Sequence, residues 1–205
     1  MKLIIMRHGQ TAWNVEHRVQ GHTDIPLDER GCAQASAIAE RLSDMQIDAV
    51  YASPLQRAYT TGACIAARSG CPVYKDQRLI ERFFGEWEGQ RLEDVSRRDP
   101  EKWRVWLEEP TKCVVPGGET LDSVLKRSLA FAEEIIEKHR GKNVVIVSHA
   151  NPVKLLLMHY TGIPVDQMHR IRTDNCSYSE LYEREGRFVL NTLNETGFLK
   201  ERGLL

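Results

Sequence analysis

Residues 2–14 read KLIIMRHGQTAWN, and the reading of this stretch decides the fold. A short apolar run, Leu3 to Met6, stops at Arg7, His8 and Gly9, with Gln10, Thr11 and Asn14 close behind. The run is typical of a strand buried in a sheet. An arginine and a histidine delivered side by side at its end have two readings. Either they are an ordinary polar strand end, or they belong to a site built on the carboxyl edge of the sheet.

The chain as a whole narrows the choice. Its 205 residues fit one domain of ordinary size, with enough material for a sizeable core. A formal net charge of −1 excludes a general attraction to nucleic acid or to an anionic membrane surface, so any affinity for anions must come from local placement of arginine and histidine. No apolar stretch approaches the roughly 18 residues of a membrane span, and the N-terminal apolar run is too short for a signal-peptide core. The cysteines (32, 64, 71, 113 and 176) are odd in number, widely spaced and without a C-x-x-C. They read as small buried thiols of a reduced, cytoplasmic protein.

Strand and helix signals alternate outward from the opening strand. Residues 28–42 (DERGCAQASAIAERL) predict an Ala-rich helix, 48–53 a strand, 54–70 a helix and 71–75 a short strand. Residues 80–118 are irregular, with short helices expected near 91–98 and 100–108. Leu121, Val124, Leu125, Ala132, Ile135 and Ile136 share one face of a helix over 120–139. NVVIVS (143–148) predicts a strand buried on both faces, and 152–162 a helix ending in glycine. Strands over 178–184 and 187–193 flank Glu185-Gly186, a hairpin signal. The pattern predicts a three-layer α/β/α fold: a mostly parallel sheet with an antiparallel edge.

In such sheets ligands bind beyond the carboxyl ends of the strands. Three ends carry chemistry. The first presents Arg7-His8-Gly9, with Gly9 expected to let the backbone approach a ligand closely. The second presents Ser53-Pro54 and then Arg57; Ser53, Pro54 and Gln56 read as a capping box that places Arg57 in the first helical turn. The third presents Ser148-His149-Ala150, again opening a helix. Singly, each arginine reads as a surface ion-pair residue and each histidine as a structural hydrogen-bonder. Together, two guanidiniums and two imidazoles beside helix N-termini suit a phosphoryl group. Glu81, in RLIERFFGEWEGQ (78–90), is either a surface carboxylate or an acid able to protonate a leaving oxygen.

RHGQT (7–11), SPLQRAYTT (53–61), LIERFFGEWEG (79–89) and VVIVSHA (144–150) occur in the order of the signature blocks of the histidine phosphatase superfamily, the phosphoglycerate-mutase-like proteins. VQGHTDIPLDERGCAQA (19–35) and PGGETLDSVLKR (116–127) extend the resemblance over nearly the whole chain. It implies a metal-independent phosphomonoesterase acting on a small phosphorylated metabolite, with no cofactor and no nucleic-acid or membrane partner, as a monomer or homodimer. It implies that His8 is the nucleophile that becomes phosphohistidine. Arg7, Arg57 and His149 would hold the phosphoryl oxygens, and Glu81 would be the general acid and then the base. Asn14, Gln20, Gly21 and the backbone N–H of Ala150 would add contacts to substrate. Residues 80–118 would form an irregular, partly helical insertion over the active site.

FGEWEG, WLEEP (106–110) and PGGET resemble the phosphatase branch, including α-ribazole, metal-independent phosphoserine and broad-specificity phosphatases. The mutases of the superfamily typically carry a longer insertion and tail, and a cofactor-dependent phosphoglycerate mutase is the chemical alternative. A non-catalytic phosphate-binding regulatory protein is the alternative of another class; it would be marked by loss of His8, Arg57, Glu81 or His149, and all four are present. Gln10 stands where glutamate is common, and Phe198 where a tail written N-x-T-x-H-L has histidine. Trp103 and Trp106 share a helix face, as a cap over the pocket or as packing. The remaining histidines (17, 22, 139, 159 and 169) show no metal-ligand spacing, so no metal is expected.

Overall fold

Strand β1 (Lys2–Arg7) sends Ile4 and Met6 to one side of the sheet and Leu3 and Ile5 to the other, in a computed structural model that describes residues 1–205. This period-2 alternation divides the core in two. After β1 come the short helix α1 (Ala12–Val15), α2 (Glu29–Arg41), β2 (Ala49–Ala52), α3 (Gln56–Ser69) and β3 (Val73–Lys75). Helices α4 (Leu92–Arg98), α5 (Pro100–Glu108) and α6 (Leu121–Lys138) precede β4 (Asn143–Ser148) and α7 (Ala150–Thr161). The chain closes with β5 (Tyr178–Arg184), β6 (Arg187–Glu195) and α8 (Gly197–Lys200).

The sheet runs β3-β2-β4-β1-β5-β6, parallel from β3 to β1 and antiparallel in its last two strands. On one face Ile4, Met6, Val145 and Val147 pack against Ile38 of α2 and Ile65 of α3. On the other, Leu3, Ile5 and Ile146 meet Phe131 and Ile135 of α6 with Leu156 and Leu157 of α7. Each fully buried side chain of this size contributes about 1.5–3 kcal/mol. The three-layer α/β/α prediction is therefore what forms. The Glu185-Gly186 hairpin forms as well, with both residues at positive φ (52° and 74°), the backbone that a two-residue turn between twisted strands requires.

Three details differ from the sequence reading, and a fourth position, Phe198, finds its place. Helix α3 begins at Gln56 with Leu55 at its N-cap and no side-chain cap from Ser53; instead the Asp24 carboxylate accepts the Gln56 N–H at 2.8 Å and the Gln56 amide at 3.1 Å. The Ser53 hydroxyl is engaged elsewhere, on His149. Gly9 has an ordinary φ, and its need is packing: a Cβ there would lie 2.7 Å from the carbonyl oxygen of Gly31, and one on Gly31 would lie 2.0 Å from that of Gln10. The two glycines let α2 press against the loop after β1. Cys32 is exposed, while Cys113 and Cys176 are buried, so the reading of all five cysteines as buried thiols does not hold. Finally, Phe198 packs in the core near Tyr178, ring centroids 6.2 Å apart, and does not line the cavity described next. No helix is long and apolar enough to cross a membrane.

Candidate active site

A cavity of about 210 Å³ lies beyond the carboxyl ends of β1 and β4, and Arg7, His8, Arg57 and Glu81 line it together. Asn14, Gln20, Gly21 and Ala150 line it too. His149 stands behind them, fully buried, its ring 5.0 Å from that of His8.

His8 is held by its own backbone turn. Its Nδ1 lies 2.7 Å from the Gly9 carbonyl oxygen, which can only accept, so Nδ1 carries the proton and the Nε2 lone pair is left without a protein partner. Burial, followed by the charges of Arg57 and Arg7, pushes the imidazolium well below its ordinary range, so the ring is neutral at pH 7. His149 is depressed for the same reasons, burial first. The Ser53 hydroxyl, which accepts the Leu55 N–H at 3.4 Å, lies 2.8 Å from His149 Nε2. The other ring nitrogen of His149, Nδ1, is buried with no partner.

Both arginines are anchored by main-chain carbonyls, which fixes their planes without neutralising them. Arg7 donates to Thr173 O at 2.9 Å. Arg57 donates from Nη1 to Thr23 O and from Nη2 to Gly21 O, each at 2.8 Å. The Nε groups of both are buried and unpartnered, donors waiting for an acceptor. Burial lowers Arg57 to about 10 and depresses Arg7, yet both stay charged at neutral pH.

The loop that receives Arg57 is fastened by a residue the sequence did not single out. Glu88 accepts the His22 N–H at 2.8 Å, the Thr23 hydroxyl at 3.0 Å and the Phe84 N–H at 3.2 Å. Gly21, at φ 51°, makes room for it, since a Cβ there would lie 1.7 Å from Glu88 Oε1. Glu81 is buried, and its Oε1 accepts from Arg82 N at 2.7 Å and Asn151 Nδ2 at 3.1 Å. Its Oε2 is left free. The Glu81 carbonyl is clamped by Arg127 at 2.9 Å and by His22 at 2.8 Å.

Asn14 is engaged within the protein, whereas Gln20 is not. Asn14 Oδ1 closes the cap of α1, accepting from Thr11 N at 3.1 Å, and takes a further bond from Asn175 at 3.1 Å. The buried Oε1 of Gln20 has no partner. Phe84, Trp87 and Trp106 from the irregular segment line the cavity, while Trp103 packs 4.7 Å from Trp106 without reaching it. Cap and packing are thus both present, divided between two neighbouring tryptophans. Lys154 and His169 also line the cavity, and sequence reasoning missed both. Lys154 was findable, at i+4 from Ala150 on one helix face.

Comparison with known proteins identifies the family and the fold. The sequence matches the histidine phosphatase superfamily (branch 1) over residues 3–196. It is 39% identical over 201 residues to phosphoserine phosphatase 1 of Hydrogenobacter thermophilus, covering 98% of this chain and 95% of that protein. The fold is similar to that of Bacillus stearothermophilus YhfR, with a TM-score of 0.91 at 29% identity over 97% of this chain and 98% of the other. A phosphoserine phosphatase variant of Entamoeba histolytica, solved in complex with phosphoserine, superposes with a TM-score of 0.86 at 28% identity, over 97% of this chain and 98% of that one.

Proposed function

Since the chain belongs to the histidine phosphatase superfamily and has its phosphoglycerate-mutase-like fold, we propose that it is a cytoplasmic, metal-independent phosphomonoesterase that hydrolyses a small phosphorylated metabolite through phosphohistidine on His8. The observation that carries the reading is the fixed tautomer of His8: a neutral imidazole with Nε2 unpartnered, between two charged arginines in one cavity.

The chemistry follows from these positions. The Nε2 lone pair attacks phosphorus in line with the ester oxygen. The P–O bond breaks, its electron pair leaves on that oxygen, and the Glu81 carboxyl gives it a proton. Arg7, Arg57 and the His149 Nδ1–H take the charge of the equatorial oxygens, supported by the N-terminus of α7 at Ala150. With the alcohol gone, the Glu81 carboxylate takes a proton from water as its oxygen attacks phosphorus. The P–N bond breaks, the pair returns to Nε2, and inorganic phosphate departs. Throughout, Nδ1–H keeps its bond to Gly9 O, so the ring does not turn between the two half-reactions.

A screen of sugar phosphates, phosphoserine, nucleotides and α-ribazole phosphate with chelator present tests this reading. Hydrolysis is expected to persist in chelator and to fall by at least about 10³-fold in kcat in the His8→Ala variant. Activity that needs added metal, or that survives loss of His8, would contradict it. Exchange between 2- and 3-phosphoglycerate with little hydrolysis would favour the mutase.

A further inference from the structure

The groups proposed to hold the phosphoryl oxygens use only part of the cavity wall. Beside Trp106, Lys154 of α7 and His169 of the turn at 165–170 line the cavity. The Lys154 ammonium makes no ion pair or hydrogen bond within the protein; the charged groups that face it are Arg7 and Glu81, with His169 beside it. His169 Nε2 is buried without a partner, and its ring packs on Trp106 with centroids 4.6 Å apart. A buried imidazole nitrogen without a partner is costly unless a ligand meets it, and the ammonium beside it has no counter-ion from the protein.

We propose that Lys154, with His169 beside it, is the specificity-determining residue of the cavity, and that it binds a carboxylate carried a few bonds from the phosphorylated oxygen. The inference rests on the phosphatase reading of the site and adds the substrate class: a short phosphorylated carboxylic acid. The charge balance favours a carboxylate over a second phosphate. Burial lowers Lys154 to about 8 and keeps His169 below its ordinary range, so this wall carries about one positive charge at pH 7, matched to a monoanion. A cavity of about 210 Å³ leaves room for a phosphoryl group and a few further heavy atoms, with Trp106 and Phe84 beside the carbon skeleton.

The test uses two probes that differ only at this position. 3-Phosphoglycerate has a carboxylate where glycerol 3-phosphate has a hydroxymethyl group. Equilibrium binding of each is measured on His8→Ala, which needs no turnover, and on His8→Ala combined with Lys154→Met or Lys154→Arg. A charged hydrogen bond is worth roughly 10- to 100-fold in affinity. The single variant is expected to prefer 3-phosphoglycerate by about that factor. Lys154→Met should abolish the preference and Lys154→Arg should keep it. An equal affinity for the two probes, or a preference untouched by Lys154→Met, overturns the proposal. Because the readout is a ratio, a general loss of binding does not imitate it. Turnover by the wild-type protein is scored separately, so failure of the phosphatase reading shows as absent hydrolysis whatever the binding ratio.

Discussion

The two ends of the cavity are built on different principles. At the phosphoryl end, Arg7, His8 and Arg57 issue from a strand end and a first helical turn, and each is locked to main-chain carbonyls: Thr173, Gly9, Gly21 and Thr23. At the organic end, Trp106 sits on a nine-residue helix, His169 on a 3₁₀ turn, and Lys154 makes no bond to the protein at all. Geometry that must match a transition state is fixed by backbone, where side-chain freedom has already been removed. On the proposed reading, selection of the alcohol falls to side chains that can be exchanged without disturbing the sheet.

The contrast breaks most visibly at Arg57. Replacement by lysine keeps the charge but loses the two carbonyl anchors and the planar fork, so kcat/KM should fall by about 10²- to 10³-fold, by the same factor for every phosphomonoester tested. A loss confined to some substrates would mean that the phosphoryl end also selects. Glu88→Gln sharpens the same point from one shell further out. It loosens the Gly21–Thr23 loop, and KM should rise by about tenfold with a smaller change in kcat, again uniformly. At the organic end Trp106→Ala should change kcat/KM only several-fold but unequally, which a panel of substrates of different size would reveal.

A separate effect concerns stability and pH. The folded-state values of His8 and His149 lie well below those of the unfolded chain, burial being the main cause. Below about pH 6.5 the unfolded state therefore binds more protons, and stability is lost as pH falls, at roughly 1.4 kcal/mol per pH unit for each histidine. Thermal unfolding between pH 7 and pH 5 should show a decline that inorganic phosphate reduces, because an anion at the phosphoryl end compensates the charge the histidines take up. A decline indifferent to phosphate would place its origin elsewhere, His139 and His169 being depressed in the same sense.

Legibility in the sequence follows the same division. The runs at 2–6 and 143–148 announce buried strands because β-branched and aliphatic side chains leave no other comfortable place, and the strand ends carry their functional residues with them. Arg57 was locatable although its helix starts two residues later than the capping signal suggested, since Asp24 supplies the cap from a distant loop. Gly9 was read as a ligand-facing glycine, whereas the close approach is to Gly31, a contact that only the packing of α2 creates. His169 and Glu88 were not assigned to the site because neither sits in a local pattern of its own, and Lys154, one turn beyond Ala150 on α7, is an unremarkable helical lysine until the cavity forms. Lys154 and His169 acquire a role only where distant segments close a shared cavity, and Glu88 only where it fastens the His22–Thr23 loop.

The central claim is that His8 accepts the phosphoryl group on Nε2. Brief reaction with a phosphodonor, base quenching and ³¹P NMR of the trapped protein distinguish the two ring positions. The account predicts an acid-labile, base-stable adduct on Nε2 of His8, absent from His8→Ala. A phosphate attached to Nδ1 or to a carboxylate, or turnover with no covalent adduct at all, would contradict it.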